Sequence, residues 1–274
     1  MSSLSWIDKI FFINLDRSKD RLEKCFIQGK KYNLQLERFP AIEGAKITRK
    51  QKKDVHPICQ YFLCTNGMIG CGLSHFYILK KIVEEKIQTS IIMEDDFIWR
   101  EDTTEKLQTL KNFHKGIVKL SCIGPFCGFG TSEPQLAPLA LGNAAYLIRY
   151  EHAKELYEKI ENVKYHIDLQ YSFVSKLHSI PMYYFDCIDV EGIDDSTLGS
   201  HRKTFLNASL PLHQDIQWFL NEPFVAPMGY GIHLFLFISF LLIILGLIVY
   251  RWNKWIGMIL FALGIFDLFY YFFQ

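Results

Sequence analysis

Ser90-Ile91-Ile92-Met93-Glu94-Asp95-Asp96 is the stretch on which the fold turns. A compact apolar run suited to a buried strand is stopped by three consecutive carboxylates. Upstream, Lys9 to Leu15 (KIFFINL) reads as a first strand, Arg17 to Lys31 as a polar helix, and Leu36 to Ile42 as a second strand with a turn at Glu43-Gly44. Between residues 67 and 86, Leu73, Phe76, Leu79, Ile82 and Val83 recur at three- and four-residue spacing, the buried stripe of a helix. Downstream, Thr103 to Phe113 reads as a helix, Ile117 to Ser121 as a strand and Ile123 to Pro138 as a Gly/Pro-rich loop. Asn143 to Ile148 then reads as a strand, followed by helices from Glu151 to Ile160 and from Asp168 to Leu177. Strands alternating with helices predict an α/β fold on a largely parallel sheet, where ligands bind beyond the carboxyl ends of the strands. The acidic triplet sits at such an end.

Across its 274 residues the chain is 50% hydrophobic and 22% charged, an ordinary globular balance. Its apolar residues are nevertheless concentrated at the C-terminus. Residues 231–250 hold no Asp, Glu, Lys or Arg, and residues 255–273 hold only Asp267. Helices of that length just cross a hydrocarbon core of about 30 Å, so the pair predicts a transmembrane hairpin. The domain plan is therefore an α/β domain over 1–210, a Pro- and aromatic-rich connector over 211–230, and the hairpin over 231–274. Arg251, Lys254 and Asp267 are the only tail charges, which leaves the first 230 residues without net charge. No basic excess or stripe points to nucleic acid. Seven cysteines at no regular ligand spacing argue for thiols rather than a disulfide framework or structural zinc. Met1 to Leu15 shows no signal-peptide pattern.

Three adjoining carboxylates repel one another unless a cation or base offsets them. Glu94 and Asp96 point the same way in an extended chain and form a two-pronged oxygen site for a hard divalent ion. The plainer alternative is a solvated acidic loop.

Several separated segments resemble glycosyltransferase family 25. Phe12-Ile13-Asn14-Leu15-Asp16-Arg17 with Arg21 resembles its I-N-L-x-R-x-x-x-R signature, and Phe39-Pro40-Ala41-Ile42-Glu43-Gly44 its R-F-x-A-x-x-G segment. Gly70-Cys71-Gly72-Leu73-Ser74-His75 is similar to G-C-x-x-S-H, and Ile91 to Asp96 to I-x-L-E-D-D. Gly142 to Ile148 is similar to G-x-x-A-Y-L-I, with His166-Ile167-Asp168 at the place of an acidic residue beyond it. Asn143, where the family often has a hydroxyl residue, and Met93, for the commoner Leu, are mild departures. The family includes lipooligosaccharide and collagen hydroxylysine galactosyltransferases.

The resemblance implies a GT-A (Rossmann-like) fold and inverting, metal-dependent transfer of a hexose such as galactose from a nucleotide-sugar. UDP-sugar is the expected donor, and a glycan, glycolipid or protein hydroxyl the acceptor. Glu94 and Asp96, with His201 from the C-terminal side, are the expected ligands of a divalent cation, Mn²⁺ or Mg²⁺. Asp168 is the expected base, set against a plain helix cap. Asn14, Arg17, Arg21, Asp95, Ser74 and His75 are expected around the nucleotide, the last two as an anion site at a helix start. Salt bridging for Arg21 and helix anchoring for Ser74 and His75 are the alternatives. Asn143, Tyr146, Asp194 and Asp195 are expected around the sugar and acceptor.

The hairpin makes the membrane a partner. The positive loop Arg251 to Lys254 would put the domain outside by the positive-inside rule, whereas the missing signal peptide favours its cytosolic face. A hairpin that enters and leaves one leaflet would free both basic residues to snorkel. Asn207-Ala208-Ser209 is a glycosylation sequon that would report orientation. A catalytically silent module that binds glycans or partners at the membrane is the competing function. A phosphohydrolase is a weaker third reading, since no nucleophilic Asp ends the first strand.

Overall fold

The computed structural model describes residues 4–121, 132–137, 142–191 and 234–272. The chain forms two compact units, Met1–Cys59 with Asn66–Gly192, and Gln60–Thr65 with Ile193–Gln274.

The first unit is built on β1 (Lys9–Asn14), β2 (Leu36–Pro40), β3 (Thr89–Glu94), β5 (Ile117–Lys119), β6 (Gln135–Leu136), β7 (Ala145–Arg149) and β8 (Met182–Tyr184). They form one sheet in the order β2-β1-β3-β7-β5-β8-β6. β4 (Phe97–Trp99) and β9 (Ile188–Val190) pair separately. The sheet is mixed: β1 runs parallel to β2 and β3, and β5 to β8, in keeping with a largely parallel sheet, but β7 runs antiparallel to both β3 and β5. With β7 reversed, its first residues arrive where β3 and β5 finish. Register places Met93 opposite Ala145, and Lys119 opposite Tyr146. One sheet edge thus collects the ends of β1, β3 and β5 and the entry to β7.

Helices α1 (Lys19–Lys31), α2 (Asn66–Glu85), α3 (Thr103–Thr109), α4 (Tyr150–Ile160) and α5 (Ile167–Leu177) complete the unit. The predicted apolar stripe of α2 is buried at Leu73, Phe76, Leu79 and Ile82. Alternation along the strands sends Phe12, Ile91, Met93, Val118 and Leu147 into one cluster with Trp99, Leu107 and Ile188. Each such side chain contributes about 1.5–3 kcal/mol on burial, so Phe12→Ala would remove about 3–5 kcal/mol once its cavity is counted. The short strands β4, β6, β8 and β9 have too few residues to show a period.

Two glycines fix α2 against the loop after β2. A Cβ on Gly44 would lie 1.7 Å from the Asn66 carbonyl oxygen, and one on Gly70 would lie 2.3 Å from that of Ile42. Ser74 closes the same contact, accepting from the Ile42 N–H at 2.8 Å and donating to the Gly70 carbonyl at 2.7 Å. Cys59 and Cys64 each take part in a disulfide, which corrects the expectation of thiols throughout. Cys25 and Cys187 are buried thiols.

In the second unit, helices Leu234–Tyr250 and Lys254–Phe272 have 17 and 19 residues. Among the described residues no helix is long and apolar enough to cross a membrane, which corrects the expected transmembrane spans. At about 1.5 Å per residue the shorter helix extends roughly 26 Å, less than a hydrocarbon core. The two helices pack closely. A Cβ on Gly246 would lie 2.5 Å from the Phe261 nitrogen, and one on Gly264 would lie 2.7 Å from the Ser239 carbonyl oxygen. Between them the Ser239 hydroxyl donates to Asp267 Oδ2, and both residues are buried.

Candidate functional site

The three carboxylates at the end of β3 have different surroundings. Asp95 is held on both oxygens, by Asn14 Nδ2 at 2.7 Å and by Arg21 at 2.9 Å. Asn14 is itself fixed, because its Oδ1 accepts from Arg38 at 3.0 Å. Asp95, Asn14 and Arg21 therefore form a brace between β1, α1 and β3. Arg17 points elsewhere, to Glu43 at 2.8 Å, with its side chain 55% exposed.

Glu94 meets His75 Nε2 at 3.3 Å. Burial alone would push Glu94 upward, but the His75 ring, helped by His166 and Arg21, holds it below the usual carboxylate range. His75 is fully buried, and its Nδ1 faces the Tyr146 hydroxyl at 3.0 Å. His75 and Ser74 do not lie at a helix start: α2 begins at Asn66, more than two turns earlier at 3.6 residues per turn. Ser74 anchors α2, and His75 braces Glu94. Tyr146 is likewise fully buried beneath the site.

Asp96 is the exception. Among the described residues its Oδ1 is buried without a hydrogen-bond partner, and Arg21 stands 3.9 Å from Oδ2. Burial, followed by repulsion from Glu94, pushes its carboxyl up to about 7. A carboxylate with one buried, unpartnered oxygen beside a second carboxylate is chemistry that a hard divalent cation satisfies, so Glu94 and Asp96 fit such an ion. Cys71, His75 and Glu94 form another group, with ligand atoms within 4.8 Å of one another. A thiol and an imidazole suit a softer ion than manganese.

Asp168 lies in the first turn of α5. The helix is capped by His166, whose ring accepts from the Asp168 N–H at 3.4 Å, so the carboxyl is not spent on its own cap. Asp168 Oδ2 instead accepts from the Gly142 N–H at 3.1 Å. Gly142 has φ +80°, a left-handed conformation that suits glycine. Two residues on, the Ala144 carbonyl accepts from the Glu94 N–H at 2.8 Å. Residues 142–144 therefore tie Asp168 to the acidic strand end, with Asn143 buried between them. His201, Asp194 and Asp195 lie outside the described residues.

Lys119, at the end of β5, is fully buried and donates to Asn143 Oδ1. Its ammonium stands 5.2 Å from the Tyr146 ring centre and 5.8 Å from that of Tyr171. Burial pulls it down to about 8, while Asp168 and Glu94 work to keep it charged. The sequence reading passed over this residue. The available signal was one lysine inside the apolar run Ile117-Val118-Lys119-Leu120.

Residues 7–124 match the family model described as glycosyltransferase family 25 (LPS biosynthesis protein). A glycosyltransferase 25 family member of Drosophila pseudoobscura pseudoobscura is 34% identical over 98 residues, covering 33% of this chain and 16% of that protein. Human procollagen galactosyltransferase 2 is 28% identical over 112 residues, covering 38% of this chain and 18% of its own length. The chain thus spans under a fifth of the curated relatives it matches. Mouse xyloside xylosyltransferase 1 in its apo form covers 68% of this chain at 14% identity, with a TM-score of 0.39, too low to fix a fold. The matched segment contains the β1 and β2 motifs, the α2 motif and the acidic strand end, so the likeness to glycosyltransferase family 25 falls on the residues that build the site.

Proposed function

We propose that this chain is a metal-dependent, inverting glycosyltransferase of GT-A type. It would move a hexose such as galactose from a UDP-sugar to a hydroxyl of a glycan, glycolipid or protein. The observation that carries this reading is the buried, unpartnered Oδ1 of Asp96 beside Glu94 at the end of β3, inside the family segment. Such a carboxylate costs stability in the free protein, and the cost is removed when a cation binds. Glu94 and Asp96 would hold the ion, which when bound offsets the charge developing on a leaving nucleoside diphosphate. Asp95, clamped by Asn14 and Arg21, keeps the strand end in place. Asp168 takes the proton from the acceptor hydroxyl, with its position set by the Gly142 N–H.

The helical pair would attach the chain to a membrane from one leaflet. Its outward residues Phe237, Ile244, Leu247, Ile259, Phe266 and Phe269 are exposed and apolar, while neither helix is suited to crossing. Disulfide bonding of Cys59 and of Cys64 favours an oxidising compartment over the cytosolic face. Glycan occupancy at Asn207 would decide between them.

The test of the activity is UDP release from UDP-galactose by the full chain, with and without Mn²⁺. Release that depends on Mn²⁺ and rises with added acceptor is expected. A folded protein that releases no UDP under either condition would overturn the reading.

A further inference from the structure

We propose that Lys119 is a positioning residue that locks the Asn143 carboxamide with its Nδ2 hydrogens toward the ligand, so that Asn143 selects a donor sugar carrying an acceptor oxygen at one ring position. The inference rests on the glycosyltransferase reading and deepens it. Asn143 is 1% exposed, yet among the described residues its Nδ2 has no hydrogen-bond partner. Buried amide hydrogens left unpaired destabilise the free protein, a loss that a ligand oxygen can recover.

The orientation follows from chemistry. An ammonium only donates, so the amide atom that faces Lys119 must be Oδ1, and the NH₂ group must face the other way. Lys119 has little room to release it, being fully buried over the Tyr146 and Tyr171 rings, with Tyr146 itself bonded to His75. Location completes the case. Asn143 stands between Gly142, bonded to Asp168, and Ala144, bonded to Glu94. Its unpaired donors therefore sit on the segment that joins the group proposed to take the acceptor proton to the group proposed to hold the cation. A serine or threonine here could rotate to donate or accept. A lysine-locked asparagine can only donate.

The experiment measures kcat and KM for UDP release from UDP-galactose and from its 2-, 3-, 4- and 6-deoxy and deoxyfluoro analogues, with Mn²⁺. The wild type should lose roughly 10- to 100-fold in kcat/KM with one deoxy analogue, and recover part of it with the matching fluorine, which accepts but cannot donate. Asn143→Ala should treat that analogue and the parent alike. Lys119→Met, which frees the amide to turn, should lose the same discrimination through KM more than kcat while keeping the wild-type near-ultraviolet dichroism. Where Lys119→Met fails to fold, Asn143→Ala decides alone. Discrimination unchanged in Asn143→Ala overturns the inference while leaving the enzyme reading intact. A wild type that releases no UDP at all overturns the enzyme reading on which it stands.

Discussion

The sheet edge and the helical pair both bury polar side chains, and they treat them in opposite ways. At the end of β3 and the entry to β7, Asp96 Oδ1 and Asn143 Nδ2 have no partners among the described residues, and burial pulls Lys119 down to about 8. Between the two C-terminal helices, the Ser239 hydroxyl and Asp267 carboxylate satisfy each other, and glycines let the backbones approach. Closed polar pairs hold a structure to itself. Open ones destabilise the free protein and become favourable only when something else arrives. The contrast separates the region poised for a ligand from the region committed to its own packing.

The contrast breaks most sharply at Asp168. Asp168→Asn should lower transfer by roughly 10² to 10⁴, the usual effect of losing a general base, with Mn²⁺-dependent binding of UDP-galactose nearly intact by calorimetry. Donor binding abolished along with transfer would instead make Asp168 a donor-side group.

Asp96 comes next. Asp96→Asn should weaken Mn²⁺-supported donor binding by about 10- to 100-fold. Its effect on metal-free stability should have the opposite sign. The native carboxyl titrates at about 7 against 3.8 unfolded, so the folded state retains a proton that the unfolded state has released. Stability should therefore fall as pH rises from about 4 to about 7, and Asp96→Asn should flatten that slope in melting curves taken with chelator present. A wild-type slope that survives the substitution would place the shift elsewhere.

The closed region should respond through packing alone. Gly246→Leu places a side chain where a Cβ already lies 2.5 Å from the Phe261 nitrogen, so the helices must part, at a cost of about 1–3 kcal/mol or more. Helical melting in detergent micelles should shift down, with UDP release per folded molecule unchanged. The smallest effect is expected at Ser74. Ser74→Ala orphans the Ile42 N–H and should lose about 1–2 kcal/mol in chemical denaturation while leaving KM for donor alone. A large rise in KM would return Ser74 to the nucleotide.

What the sequence determined by itself is the set of elements whose signal is local. β1, α1, β2, α2, β3 and α4 are legible because apolar runs and 3.6-residue stripes are properties of neighbouring residues. The same holds for the acidic strand end and for the family segment that contains it, since both are strings of adjacent letters. Tertiary structure decided the rest, because partners separated by tens of residues leave no local trace. Nothing in the letters tells Asp95, clamped by Asn14 and Arg21, from Asp96 next to it, whose Oδ1 is buried with no partner among the described residues. The reversal of β7 is equally silent in its apolar run, yet it brings Asn143 to the end of β3. Lys119 reads as an ordinary strand lysine until antiparallel pairing with β7 sets it opposite Tyr146, and only then does its charge have an amide to hold.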